Sequence, residues 1–378
     1  MLDQNWQLSY DLGPEKILYV YNREVGLKGI VVVDNVSAGP SIGGVRMAMD
    51  VSLQECVRLA RAMTLKNAAA ALPHGGGKSV IMADPKSDPG SKEQLIRAFA
   101  VAIRDLADYI PGPDMGTDEK CMAWIKDEIG RSVGLPTEVG GIPLDEIGAT
   151  GYGLVVSITE AQEFCNFRLK KARIAVQGFG SVGQHAARFL AEQGSTLVGA
   201  ADSQGTVVNP DGLDVENLIE HKRQTGSVCG FISGQALGTD SILDVECDVW
   251  IPAARPDVIH MENFARLNTR LIAEGANIPV THEAEQALAK SGVIVIPDFI
   301  ANAGGVICAA MEYQGASEAA ALQSIEEKLR RNTVQVLEAV KRQQILPRAA
   351  AMELATERVK KAMSFRHYSL FSSAPGFV

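Results

Sequence analysis

ARIAVQGFGSVGQHAARFLAEQ, residues 172–193, decides how the second half of this chain reads. A short apolar run leads directly into Gly178, Gly180 and Gly183, and a helical pattern leads directly out. Glycine–x–glycine–x–x–glycine alone is a weak signal, but strand-in and helix-out is the setting in which it cradles a dinucleotide. The first glycine permits the tight turn, the second lets backbone approach a pyrophosphate, and the third lets helix and strand pack closely. Phe179, Ser181 and Val182 complete the loop, and the helix N-terminus behind it offers N–H groups to an anion. The next apolar run, TLVGAAD, ends at Asp202, where an acidic side chain accepts from ribose hydroxyls. Asp202 favours NAD, while the adjacent Ser203 admits the 2′-phosphate of NADP. A ligand-free glycine turn is the competing reading, and the flanking strand and helix weigh against it.

Around this loop, strands and helices alternate from about residue 150. CDVWIPAA, TRLIAEGAN and GVIVIPDF are further short apolar runs between helical segments, the pattern of a parallel, doubly wound sheet. Beyond residue 315 the chain is charged and helical before a loose tail. The first part is different. ILYVYNREVGLKGIVVVDN reads as two strands around a turn at Gly26. VSLQECVRLARAMTLKNAAAAL reads as a helix opened by Ser52 and Glu55 at capping-box spacing. KSVIMAD reads as a strand, and SKEQLIRAFAVAIRDLADYI as a helix ending at Pro111. The fold expected is therefore α/β with two domains. Residues 1–148 form a substrate-binding and catalytic domain with a mixed sheet, and 149–330 a Rossmann-type dinucleotide domain. Residues 331–378 form a helical segment packing back towards the first domain.

The 378 residues carry a net charge of −9 and are 46% hydrophobic. Such a chain reads as globular and soluble, and its acidity argues against nucleic acid as a partner. The six cysteines, Cys56, Cys121, Cys165, Cys229, Cys247 and Cys308, show no paired spacing. They suggest reduced thiols in the cytoplasm. The six histidines lack ligand spacing, so no metal site is expected. MLDQNWQLSYDLGPEK carries no export signal, and no apolar run is long enough to cross a membrane.

LPHGGGKSVI, residues 72–81, superficially suggests a phosphate loop. A P-loop needs a glycine where Leu72 stands, with a strand before and a helix after. Here the order is reversed, so a P-loop NTPase is disfavoured. Lys78 instead heads a strand. On the preceding helix Cys56, Leu59, Met63, Lys66 and Ala70 form one face, and Lys66 is its only charge. Asp114 lies in PGPDMGT, a loop bounded by proline and glycine. Taken singly, Lys66 could be a snorkelling lysine and Asp114 a turn residue.

Together these stretches are specific. GPSIGGVRM, MTLKNAAAALPHGGGKSVI, PGPDMGT, GATGYGL, VQGFGSVG, DVWIPAA, EGANIPVT and PDFIANAGGV occur in order over nearly the whole length. The chain resembles the glutamate/leucine/phenylalanine/valine dehydrogenase family of amino-acid dehydrogenases. The resemblance implies that Lys66 binds the substrate α-carboxylate, that Lys78 is the catalytic lysine and that Asp114 is its acid–base partner. It places Gly43, Gly44 and Met63 along the substrate. It sets Thr150, Ala253, Asn277 and Asn302 near cofactor or substrate, with Asn277 near both. A homo-oligomer whose small-molecule partners are an amino acid, its 2-oxo acid and ammonia is implied. Glutamate enzymes of the family carry a lysine where this chain has Ile42, and a serine where it has Ala309. With both gone, a buried side-chain carboxylate lacks partners. Ile42, Gly112, Val306 and Ala309 would line an apolar pocket, and leucine, valine or phenylalanine is the expected substrate. A glutamate dehydrogenase and a non-catalytic nucleotide-binding regulatory protein are the alternatives.

Overall fold

The computed structural model describes residues 8–366. The start of the stretch read for an export signal and most of the tail lie outside the described residues. The chain separates into two compact units. One comprises residues 1–143, 306–321 and 354–378, the other residues 144–305 and 322–353.

The first unit is built on β1 (Lys16–Asn22), β2 (Leu27–Asn35), β3 (Ser41–Ala48), β4 (Gly75–Met82) and β5 (Tyr109–Pro113), in sheet order β1-β2-β4-β3-β5. β1–β2 and β2–β4 are antiparallel, whereas β3 runs parallel to both β4 and β5, so the sheet is mixed. Its helices are α1 (Leu53–Ala69), α2 (Pro89–Ala102) and α3 (Glu119–Ile129). Strand alternation assigns the two faces. Val31 and Val33 of β2 point into a core with Ile96 and Phe99 of α2 and Met122 and Ile125 of α3. Val32, between them, joins Val80 under Cys56, Val57 and Ala60 of α1. Ser52 caps α1, its hydroxyl accepting from the Glu55 N–H as the sequence spacing predicts.

One expectation fails here. The helix read to Ile110 ends at Ala102, and Tyr109–Pro113 is a strand. Tight turns carry the chain across, with the Leu106 N–H on Ile103 O and the Tyr109 N–H on Leu106 O. Pairing with β3 outweighs the local helical pattern, and Pro111 is tolerated because β5 is an edge strand. Asp114 thus follows a strand rather than a helix. GPSIGGVRM, not assigned from sequence, supplies β3.

The second unit opens with α4 (Ala149–Ala161) and continues through β6 (Arg173–Gln177), α5 (Ser181–Glu192), β7 (Thr196–Ala201), β8 (Thr206–Val208) and α6 (Val215–Thr225). There follow β9 (Gln235–Leu237), β10 (Val249–Pro252), β11 (Leu271–Ala273), α7 (His282–Lys290), β12 (Ile294–Ile296), α8 (Asp298–Ala301), α9 (Gly304–Tyr313), α10 (Glu318–Gln343) and α11 (Pro347–Phe365); of these, α9 belongs largely to the first unit, and α10 and α11 each cross the division. The sheet order is β12-β11-β10-β6-β7-β8-β9. The five strands from β12 to β7 are parallel, and β8 and β9 add an antiparallel edge that the sequence reading missed. β6 lies between β7 and β10, so the chain reverses direction across the sheet there, which is where open α/β sheets bind ligands. No helix among the described residues is long and apolar enough to cross a membrane.

Candidate active site

In the first unit, Lys78 rises from β4 and Asp114 follows β5, with β3 between them in the sheet. The two side chains still meet: Lys78 Nζ lies 2.7 Å from Asp114 Oδ2. Gly44 of β3 makes this possible. A Cβ at Gly44 would stand 2.7 Å from Asp114 Cβ and 3.1 Å from Lys78 Nζ. Any side chain there would push the pair apart. The Lys78 side chain is only 7% exposed and Asp114's 23%, so the pair is largely shielded from solvent.

Arg46, two residues after Gly44 on the same face of β3, was quoted in a sequence motif but given no role. Its Nε donates to Asp114 Oδ2 at 3.0 Å, and its Nη1 donates to Glu55 Oε1 at 2.5 Å. Asp114 therefore answers two cations. Burial alone pushes its carboxyl up, but Lys78 and Arg46 outweigh burial and hold it below the usual carboxylate range. Its backbone is fixed too, since the Asp114 N–H donates to Thr117 Oγ1 and that hydroxyl donates to Val45 O. The alternation of β3 could have found Arg46; its partner Glu55, on another element, could not be paired with it from spacing.

Met63 and Lys66 lie half-buried on α1, the helix packed against β4. Ile42, 4% exposed, is paired in register with Gly76 of β4 and Ile110 of β5. Gly43 and Gly44 follow it on β3, and Gly112 sits opposite Gly44 in register. Val306 and Ala309 lie half-buried on α9. The same helix is tied within the first unit by Glu312, whose carboxylate accepts the N–H groups of Gly134, Leu135 and Ile142 at 2.8, 3.2 and 2.9 Å. The sequence reading gave Glu312 no role.

In the second unit, the β6–α5 loop fits a dinucleotide. Ser52, Asp88, Asp118, Asp214 and Thr281 cap the N-termini of α1, α2, α3, α6 and α7. α5 begins at Gly180 with no side-chain cap. Its leading N–H groups are left for a ligand, as at anion-binding helix ends. A Cβ at Gly180 would meet nothing within 4 Å, whereas one at Gly183 would strike Gly178 O at 2.2 Å. One glycine thus keeps a space open and the other lets the helix seat on its strand. Gly178 lies against the backbone of Ala253 at the end of β10, on the far side of the reversal point. Phe179 is fully buried behind the loop; Ser181, at the first helical position, bonds Asp145 O, and Val182 is half-buried.

The asparagines and threonine carried over by resemblance cluster nearby. Asn302 Nδ2 donates to Asn277 Oδ1 at 3.2 Å and to Gly275 O at 3.3 Å. Thr150, at the start of α4, has its hydroxyl 3.1 Å from where a Cβ of Gly305 would lie. Asp202 ends β7, with Ser203 exposed beside it, and the Asp202 carboxylate is held by Lys222, Ser227 and two backbone N–H groups.

A buried ionic cluster supports the Asn277 turn and was not foreseen. Arg348 meets Glu274 at 2.6 Å, Asp298 at 3.0 Å and Glu285 at 3.3 Å. Asp298 Oδ2 in turn accepts the Ile278 N–H at 3.0 Å. Ile278 has φ +48°, a conformation costly for a β-branched residue, and the bonds around it hold it there. Burial pushes the Glu274 carboxyl up to about 8 despite the nearby guanidinium.

Comparison with known proteins identifies the family. The profile described as Glutamate/Leucine/Phenylalanine/Valine dehydrogenase matches residues 140–367, and its dimerisation-domain counterpart matches residues 15–131. The chain belongs to this family. Like other Glu/Leu/Phe/Val dehydrogenases it is an oxidoreductase acting on the CH–NH2 group of an amino acid with NAD(P). It is 39% identical to the glutamate dehydrogenase of Aeropyrum pernix, covering 88% of this chain and 85% of that protein. It is 34% identical to the NADP-specific glutamate dehydrogenase of Saccharolobus shibatae, covering 88% and 83%. Among solved structures, the hetero-hexameric glutamate dehydrogenase of Thermus thermophilus, in its Leu-bound form, is similar with a TM-score of 0.82 and 29% identity. That likeness covers 94% of this chain and 91% of that one.

Proposed function

We propose that this dehydrogenase carries out reversible oxidative deamination of L-glutamate to its 2-oxo acid and ammonia, through Lys78, Asp114 and Lys66. The carrying observation is the Lys78–Asp114 pair, 2.7 Å apart across the vacancy at Gly44, in a chain 39% identical to a glutamate dehydrogenase. The names of the relatives favour glutamate over the apolar substrate expected from Ile42 and Ala309. Lys66 anchors the α-carboxylate and so fixes where the α-carbon lies. A nicotinamide held there would supply the hydride acceptor for that carbon. Lys78 gives and takes the protons of the amine and of the water that adds to the resulting iminium, and Asp114 relays them. Arg46 keeps Asp114 ionised and aimed. Gly43, Met63, Gly112 and Val306 shape the substrate's side. Thr150, Asn277 and Asn302 would hold the nicotinamide end, and the loop from Gly178 to Gly183, with Ala253, would hold the pyrophosphate.

A second reading keeps the chemistry and changes the substrate. Ile42 is 4% exposed and apolar, and Ala309 bears no hydroxyl, so neither can pair with a side-chain carboxylate. Leucine, valine or phenylalanine would then be preferred. A homo-oligomer is part of this reading; the dimerisation-domain match and the hetero-hexameric relative support an oligomer.

The deciding experiment is NAD- and NADP-linked turnover of glutamate, leucine, valine and phenylalanine, followed by nicotinamide absorbance beside a Lys78→Ala control. Glutamate as best substrate supports the first reading, and an apolar best substrate the second. Silence with all four would overturn both and favour a non-catalytic, nucleotide-binding role.

A further inference from the structure

The β3–β4 ladder skips the lysine of the site. Its register pairs Ser41 with Gly75 and Ile42 with Gly76, then resumes at Val45 and Ser79, passing over Gly43, Gly44, Gly77 and Lys78. In the skipped stretch the two backbones crowd together instead. A Cβ at Gly43 would stand 1.7 Å from Gly77 O and 3.0 Å from Lys78 N. On its other edge β4 keeps its pairing, with Val32 of β2 opposite Lys78. Lys78 therefore sits where the sheet carries the fewest side chains and where ladder pairing with β3 does least to fix it.

Tyr109 of β5 fills the opposite face at this point. Lys78 and Ser79 are consecutive on a strand, so their side chains leave opposite faces. Lys78 meets Asp114 and Ser79 meets Tyr109. The fully buried Tyr109 ring crosses β3 and lies against Gly77, where a Cβ would stand 2.9 Å from its Cδ2. Its hydroxyl donates to Gly43 O at 2.9 Å. A phenol has one proton to give, so the Ser79 hydroxyl, also 2.9 Å away, donates to the Tyr109 oxygen. The relay from Ser79 through Tyr109 to Gly43 thus bridges β4 and β3 across the skipped pairs. Burial pushes the Tyr109 hydroxyl far up, so it keeps its proton and remains a donor.

We propose that Tyr109 and Ser79 are positioning residues for the reaction: their hydroxyl bridge fixes the Gly43–Gly44 and Gly77–Lys78 backbones, and so sets where Lys78 Nζ stands against Asp114 and the substrate α-carbon. Both act from the face opposite the reacting atoms. Gly43, Gly44 and Gly77 have no side chains to wedge the strands in place, so the bridge carries that task. The proposal rests on the reading of Lys78 as the catalytic lysine.

The test is steady-state turnover of the best substrate among glutamate, leucine, valine and phenylalanine. The full chain carries Tyr109→Phe, Ser79→Ala or both, beside Ile96→Val as a control in the same core. Tyr109→Phe should lower kcat about tenfold, a displacement short of the ångström that costs about a hundredfold, with KM within about threefold. Ser79→Ala should fall in the same direction. The double variant should fall no further than the worse single, because both remove one bridge. Ile96, fully buried in the cluster that holds Tyr109, is away from the bridge, so Ile96→Val should lower the urea midpoint and leave kcat unchanged. A Tyr109→Phe kcat within about twofold of the wild type would overturn the proposal while leaving the dehydrogenase reading intact. So would single losses that multiply in the double variant, or an equal fall in Ile96→Val. A wild type silent with all four amino acids would sink the reading of Lys78 and this proposal with it.

Discussion

Replacing Arg348 by Met tests whether the buried ionic cluster of the second unit holds that unit together. Met fills much of the same volume but removes the single guanidinium that serves Glu274, Asp298 and Glu285. The Glu274 and Glu285 side chains are 0% and 2% exposed, so water cannot replace it. Breaking a buried pair from one side costs about 3–5 kcal/mol, and three carboxylates left together place this variant at the upper end. The deficit should depend on pH. The Glu274 carboxyl, raised from 4.5 to about 8, holds its proton more tightly folded than unfolded. Its stabilising contribution is therefore complete below about pH 4.5 and is lost as pH rises through about 8. Without Arg348 the carboxyls rise further, so the variant should lose most at pH 8 and recover towards pH 5.5. The assay is urea unfolding followed by fluorescence of Trp250, fully buried in the second unit's core, with Trp6 and Trp124 replaced by Phe. A loss under about 1 kcal/mol at pH 8, or an equal loss at pH 5.5, would refute the reasoning.

Three further outcomes are expected. Asp114→Asn should lower kcat by about 10²–10⁴-fold, the usual worth of a positioned acid–base group, with KM changed only a few-fold in steady-state assays. Gly44→Ala should retain the fold by circular dichroism. Because its methyl would stand 2.7 Å from Asp114 Cβ, it should lose about a hundredfold in kcat through misplacement alone. Glu312→Ala strands three N–H donors, those of Gly134, Leu135 and Ile142, inside the first unit. It should cost about 2–4 kcal/mol by urea unfolding, since each unsatisfied buried donor carries a desolvation penalty.

Periodicity located most helices and the parallel strands β6, β7, β10, β11 and β12, because each is set by a short apolar run with its own stops. It misread residues 103–110, where Ile103, Leu106 and Ala107 suit a helix but β3 offers Tyr109 and Ile110 a strand partner. It also passed over β3, whose paired glycines weaken any strand signal, and β8 and β9, each three residues long. The expected apolar substrate rested on two missing polar groups, Ile42 and Ala309, and the names of the relatives weigh towards glutamate instead.

By itself the sequence determined the glycine loop between β6 and α5 and the Ser52 cap of α1, since both are local: a few consecutive residues make the turn or supply the donors and acceptors. It also determined, through resemblance, which lysines and which aspartate to watch. Only the tertiary structure decided what those residues touch. Lys78 and Asp114 meet because β3 separates their strands and carries a glycine at the crossing. Asp202 is turned inward because Lys222, 20 residues later, reaches it, and the Asn277 turn is held by an arginine 74 residues beyond Glu274. Charges pair by distance in space, and chain spacing sets that distance only within a single helix or strand.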